Sequence, residues 1–489
     1  MEDVGTFGLV VLVVAVAALA AVLSNRISSR LRIPAPVVFL VCAAVASDLF
    51  PGLGQISPRA VQRIVTVALA IVLFDGGMQV GWRRFRTAAL PVLWIGVAGT
   101  LATAAGVAAA AHWLFHLDWP AALVLGTALS PTDPAVVFSV LGRREVKGRS
   151  GVILEGESGA NDPVGIALMV ALLSASGAGG TGFVSAAGTF FLQLAVGGAV
   201  GIGGGLLLGV FMRRVHLPGE GLYALRVLAG ALVLYGAATV AHGSGFLAVF
   251  VAGIVIGDQR APYKGEIARF HTALSSIAEI VVFVVLGLTV NLRTLADGAA
   301  WLIGLGLAVL LALIIRPVLV GLVLLPVKLS LGERIFVLWS GLKGAVPILL
   351  GTFVFSSGQS GATRIYDIIF VAVAFSVLVQ GGLVPWVASR CRVPMRAVEP
   401  TPWGLGLRFA EPPRGLHRYR VSAGSKADGS AVGDLGLGKD MWISFVLRHG
   451  RPVQVRSSTV LEPEDEVLVQ LDAEGSANPG GMFGRPEAG

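Results

Sequence analysis

The sequence predicts an all-helical polytopic membrane protein with about thirteen transmembrane helices. These form an inverted repeat with two broken, crossing helices, followed by a small cytoplasmic β-rich α/β domain. Three observations predict it. Mean hydropathy over the 489 residues is +0.80. Charged residues make up 13% of the chain, against about 25% in an ordinary soluble protein. The charges are also unevenly placed: residues 1–400 carry 27 Lys/Arg and 18 Asp/Glu, whereas residues 401–489 carry 10 and 11. A multidomain soluble enzyme, a disordered chain and a disulfide scaffold are excluded. Cys42 and Cys391 lie in unrelated settings and make neither a disulfide framework nor a metal site. The division suggests a membrane domain over 1–397, a linker over 398–416, a soluble domain over 417–474 and a disordered end over 475–489.

Crossing a bilayer as helix takes about 20 apolar residues. Polar breaks divide the first part into candidate spans centred near 14, 41, 71, 100, 131, 161, 200, 231, 250, 279, 310, 345 and 377. Basic residues collect in alternate loops, around Arg26, Arg83, Arg143, Arg213, Arg260, Lys328 and Arg390. The loops between them hold only Arg59, Arg63, Arg293 and Arg364. The positive-inside bias makes the first set cytoplasmic, the N-terminus external, the C-terminus internal and the span count odd. Because the excess of positive charge follows these loops, no nucleic-acid partner is implied; the partner of the basic surface is the bilayer of the cell's inner (plasma) membrane. The first run opens on Met1, Glu2 and Asp3, an acidic flank that reads as a span and not as a removed signal peptide.

An ionisable group within hydrocarbon costs roughly 2.5 to 3.5 kcal/mol on insertion scales, which makes each one a functional candidate. Asp75 sits in FDGGM, Asp133 in SPTDPA, Glu155, Glu157 and Asp162 in LEGESGANDP, Glu279 in SSIAEIV, Arg316 in IIRPVL and Lys343 in SGLKGAVP. Asp133 lies nine residues from the cytoplasmic edge at Gly142, Lys343 nine from Arg334 and Asp162 twelve from Ser150. At about 1.5 Å per residue, these three sit roughly 14, 14 and 18 Å deep, near the middle of a core of about 30 Å. Pro131 and Pro134 flank Asp133, while Gly341, Gly344 and Pro347 surround Lys343, so neither segment suits continuous helix. Unwound backbone at that depth is tolerated where it lines a cavity or is buried in protein. The two segments occupy the fifth helix of each half, if helices 1–6 and 8–13 are repeats joined by helix 7. Paired interrupted helices in an inverted repeat point to the ion site of a secondary transporter. Asp133 and Lys343 would then neutralise the half-helix dipoles that meet there.

Asp162 is the candidate carrier. A carboxylate in a partly dehydrated cavity can hold a proton or a metal cation, and that mutual exclusion is the physical basis of antiport. Asn161 offers an amide, Ser158 lies one turn earlier on the same face, and Thr132 offers a hydroxyl or a freed carbonyl. Glu157 is expected to form a structural ion pair with Lys343. Asp75, Glu279 and Arg316 are candidates for the ion pathway, with interhelical pairing as the other reading of Glu279 and Arg316, and interfacial solvation that of Asp75.

Four motifs, TDP (Thr132 to Pro134), ESGAND (Glu157 to Asp162), FDGG (Phe74 to Gly77) and GLKGAVP (Gly341 to Pro347), occur in one order along nearly all of residues 1–395. In this the chain resembles the NhaP-type monovalent cation:proton antiporters of the cation:proton antiporter superfamily. The resemblance implies a thirteen-helix fold, a homodimer, a core domain moving against a dimerisation domain, and Asp162 as the residue that binds cation and proton. The Asn-Asp pair goes with electroneutral exchange. Two positions depart from the pattern. Lys343 stands where Arg is more common, and Asp75 where many sodium/proton members carry Glu, as in the potassium/proton branch.

Residues 417–472 alternate apolar and polar residues in RYRVSA, MWISFVLR, PVQVR and EVLVQL, with a turn at His449 and Gly450. This part resembles the TrkA-C or RCK-C domain of potassium-transport regulators, which implies a small regulatory ligand of nucleotide type. No cofactor is implied; K+ or Na+ and H+ are cargo. Other classes fit the residues less well. GESG at Gly156 to Gly159 matches the GxSG of intramembrane serine proteases, but the candidate base, His242, falls at the outer end of its span, away from the depth of Ser158. A regulated potassium channel would select with a ring of carbonyls, and no such filter sequence occurs. A transporter of another solute is the remaining alternative, and an acidic key residue disfavours anions.

Overall fold

The computed structural model describes residues 35–50, 56–141, 144–146, 148–175, 182–290, 292, 295, 299–356, 361–397, 416–438, 441–449, 451–471 and 480–483. The predicted span centred on 14 and nearly all of the 398–416 linker lie outside the described residues. The chain divides into two compact units, Met1–Glu399 and Pro400–Gly489.

The first unit is helical. Helix α1 covers Ala35–Leu49. The runs centred on 71 and 100 form two helical segments within Pro58–Trp113 (together α2), which meet at a sharp break and not across an extended loop. Its start is capped by Ser57, whose Oγ accepts from the Ala60 N–H, with Pro58 in the first turn where a missing N–H costs nothing. Midway, Gly81 adopts φ 64°, a conformation that interrupts the helix. Asp258 accepts a bond from the Arg83 N–H at 2.5 Å, so the second half of α2 starts on a carboxylate cap.

The interruptions predicted at SPTDPA and GLKGAVP are present. Helix α3, Trp119–Ala128, is separated from α4, Pro134–Leu141, by the unwound residues 129–133. Between them come the other elements: α5, Arg149–Ala175; α6, Gly182–Arg214; α7, Glu220–Val240; α8, Gly245–Gly257; α9, Lys264–Leu288; and α10, Ala300–Val323. Helix α11, Leu331–Trp339, is then separated from α12, Ala345–Ser356, by residues 340–344. Helix α13 covers Ala362–Arg390. Six helical runs among the described residues are long and apolar enough to cross a membrane. Leu90, Leu207 and Val240 are 81%, 71% and 82% exposed, an outward face that suits lipid better than water.

Two helices widen locally into π-type turns that matter below. The first, Leu311–Val320 in α10, contains Arg316 and Pro317, and a wider turn accommodates the missing proline N–H. The second is Ser376–Gln380 in α13. At one end of the unit, β1 (Arg144–Val146), in the connection from α4 to α5, pairs antiparallel with β2 (Met395–Ala397), just beyond α13.

The second unit holds a four-stranded antiparallel sheet of β3 (Leu416–Arg420), β4 (Met441–Arg448), β5 (Arg451–Val453) and β6 (Glu466–Leu471), in the order β3-β6-β4-β5. Each strand falls on one of the alternating runs. Arg448 pairs with Arg451, and His449 takes φ 50° in the turn between them. Arg448 grips buried Asp465 with Nε at 2.9 Å and Nη2 at 2.8 Å. The disordered end expected over 475–489 is corrected for Gly480–Phe483, a helical turn. Phe483 is fully buried against Tyr419, and the Ser422 and Ala427 N–H groups bond the carbonyls of Phe483 and Met482. The buried ring and the two backbone hydrogen bonds together hold these residues against the small sheet.

Candidate ion-binding site

The two unwound segments cross in direct contact: the Asp133 N–H donates to the Leu342 carbonyl at 2.8 Å. Backbone groups freed by Pro131, Pro134 and the GLKG sequence thus satisfy one another inside the protein. Lys343 Nζ donates to the carbonyls of Ser130 at 3.1 Å and Pro131 at 2.9 Å, just past the C-terminal end of α3. An ammonium there opposes the negative end of a half-helix. Asp133 precedes α4 and faces the start of α12. A Cβ on Gly344 would lie 1.9 Å from Asp133 Oδ2, so only glycine lets the carboxylate approach. Gly341 has the same function toward Arg316, whose Nε would be 2.0 Å from a Cβ.

Helix α5 brings the remaining candidates to this crossing. Asn161 Nδ2 donates to Thr132 Oγ1 at 2.7 Å, and the Thr132 N–H reaches Asn161 Oδ1 at 3.4 Å. Asn161 therefore ties α5 to the unwound residues. Beside it, Asp162 is 7% exposed, and its Oδ1 has no hydrogen-bond partner among the described residues. Ser158, one turn back, is also buried. A buried carboxylate oxygen left without a donor is costly to a purely structural residue. It is what a site for a removable cation or proton requires.

The expected Glu157–Lys343 pair is corrected. Glu157 Oε1 instead accepts from Arg316 Nη2 at 2.8 Å, with side chains 4% and 3% exposed. Arg316 also reaches the carbonyls of Leu338 at 2.9 Å through Nε and of Val337 at 3.4 Å through Nη2. Lys343 is drawn to carbonyls, whereas the guanidinium fork can serve a carboxylate and a helix C-terminus together. Arg316 thus ties α5 and α10 to the end of α11, the interhelical pairing expected as its other reading. Asp75 is not solvated at an interface: it is 3% exposed and accepts from Gln79 Nε2 at 2.7 Å and Thr272 Oγ1 at 3.2 Å. Glu279, on α9, has one buried carboxylate oxygen without a partner among the described residues.

Sequence reasoning missed Ser376 and Gln380. Ser376 Oγ accepts the Lys343 N–H at 2.9 Å and donates to Gln380 Oε1 at 3.0 Å. Gln380 Nε2 donates to the Trp339 carbonyl at 2.6 Å, and Trp339 Nε1 returns a bond to the Gln380 carbonyl. Two uncharged polar residues four apart in an apolar span were the available signal.

The transmembrane family model for sodium/hydrogen exchangers matches residues 14–390. The K+/H+ antiporter NhaP2 of Shewanella sp. (strain MR-4) is 34% identical over 94% of this chain and 80% of its own length. The K+/H+ antiporter NhaP of Alkalimonas amylolytica is 36% identical over 76% and 65%, and the Na+/H+ antiporter NhaH of Halobacillus aidingensis 30% identical over 65% and 80%. The solved structure of the sodium proton antiporter MjNhaP1 from Methanocaldococcus jannaschii, at pH 8, superposes with a TM-score of 0.65 at 22% identity. It covers 78% of this chain and all of that one, a likeness that speaks to fold. With a family model covering most of its length and relatives matched across nearly all of it, the chain belongs to the sodium/hydrogen exchanger family and is a membrane transporter, not an enzyme.

Proposed function

We propose that the protein exchanges a monovalent cation, K+ or Na+, for a proton, with both ions competing for Asp162. The observation that carries this reading is the buried Oδ1 of Asp162, unbonded among the described residues, beside the crossing of two unwound segments. Thr132, Ser158 and Asn161 supply neutral oxygens around the carboxylate. Asp133 and Lys343 compensate the half-helix ends, and the Glu157–Arg316 pair holds α5 against the end of α11. A single carboxylate that carries one ion at a time gives electroneutral exchange. The reading includes thirteen spans in an inverted repeat, an external N-terminus, a cytoplasmic C-terminus, residence in the inner (plasma) membrane and a homodimer. It assigns the β-rich unit the regulatory role of an RCK-C-type domain that binds a small, nucleotide-type ligand. The relatives named for K+ and for Na+ support the substrate class.

The test is dequenching of a pH dye in vesicles holding the full-length protein, with K+, Na+ or Li+ added in turn. A dye response to at least one of these cations, absent from protein-free vesicles, is expected. A proton flux indifferent to all three would reject the reading.

A further inference from the structure

Glu279 lies on α9, fifteen residues from Lys264 and nine from Leu288, or about 22 and 14 Å along the helix. That depth is close to the depth of Asp162 expected from sequence. Its residue is half-buried, and Oε1 is fully buried with no hydrogen-bond partner among the described residues. An acid with no structural bond at that depth is costly to keep.

Its surroundings give it a use. Asp133 is a charged neighbour of both Glu279 and Asp162. Glu157 is paired with Arg316, so Asp162 and Glu279 are the acids near this depth that keep an unbonded buried oxygen and lack an ion pair among the described residues. Buried carboxylate oxygens without donors call for protons or cations. On α9, Thr272, Ser275 and Glu279 follow at spacings of three and four and so share a face. Thr272 is exposed and bonds Asp75, while Ser275 and Glu279 are half-buried. This polar stripe runs from the Lys264 end of the helix toward the crossing.

We propose that Glu279 is a way-station carboxylate, where an entering cation exchanges part of its water for protein oxygen before it passes to Asp162. The inference rests on the antiport reading and extends it from one carboxylate to an ordered pair. Glu279 has no part in the release of the proton, so its loss weakens capture without stopping turnover.

The experiment measures exchange in vesicles as a function of cation concentration for the wild-type chain, E279Q, E279D and D162N. Each protein is first checked for a single folded peak in detergent. Glutamine keeps shape and polarity but removes the charge, so E279Q should raise the KM for the cation about tenfold, the usual loss of one charge-assisted contact, with Vmax within about twofold. E279D, which keeps the charge on a shorter arm, should fall between. An unchanged KM in E279Q, an inactive E279Q, or one that does not fold would overturn the proposal, because the group would then be idle, obligatory or structural. D162N separates the two readings. Exchange that persists in D162N overturns the carrier assignment itself, whereas a normal E279Q beside an inactive D162N overturns only the way-station.

Discussion

Replacing Asp162 by Asn is expected to abolish cation-dependent proton flux while leaving the protein in the membrane at its normal level. The substitution is nearly isosteric and removes only the capacity to ionise. Asp162 Oδ1 makes no hydrogen bond among the described residues, so the folded state loses no such bond there. Expression and thermal stability in detergent should change little, by about 1 kcal/mol or less. Function should fall by far more. A neutral amide cannot carry a proton across, and its oxygen attracts a cation far less than a carboxylate does, so both half-reactions fail together. Dye dequenching with each cation measures the flux, and immunoblotting of the same vesicles measures the level. Residual exchange above a few per cent would mean that another group carries the ion.

The second large effect is on stability. The Glu157–Arg316 pair is almost fully buried, and removing one partner of such a pair costs roughly 3–5 kcal/mol because the other charge is left without compensation. R316M strands the Glu157 carboxylate, whose Oε2 already lacks a partner among the described residues. E157Q strands a guanidinium that retains only the Leu338 and Val337 carbonyls. The double variant removes both charges, so its loss should fall short of the sum of the single losses by about 2–3 kcal/mol. Thermal unfolding in detergent, followed by loss of the folded elution peak, reads the comparison. Additive losses would show that the two groups are not coupled.

These partners illustrate what a sequence shows and what it conceals. Prolines and glycines around Asp133 and Lys343 announced the two interruptions because backbone chemistry is local: no neighbour is needed to know that Pro131 and Pro134 lack an N–H. Residue counting gives distance along a helix, since rise per residue is fixed. It did not give the direction in which a side chain leaves its helix, and that angle decides pairing. Lys343 and Glu157 were therefore matched by charge, although Lys343 turns to the Ser130 and Pro131 carbonyls and Arg316 reaches Glu157 from α10. Ser376 and Gln380 carry no charge, so a reading led by charge passes over them although their polarity stands out in an apolar span. In the second unit, alternation placed the strands, whereas Phe483 was concealed by its glycine-rich setting until its ring was seen in the core.

Competition of cation and proton for one carboxylate is the central claim, and the apparent KM for the cation measured against pH tests it most directly. Initial rates of exchange are recorded in vesicles over a range of cation concentrations at each pH from about 6 to 8.5, a window spanning neutrality where exchange is proposed to run. If both ions occupy Asp162 in turn, apparent KM rises on the acid side toward tenfold for each pH unit, while Vmax at saturating cation stays constant. A KM that is flat across the range, with Vmax falling instead, would place the proton at a group the cation never touches and would contradict the account.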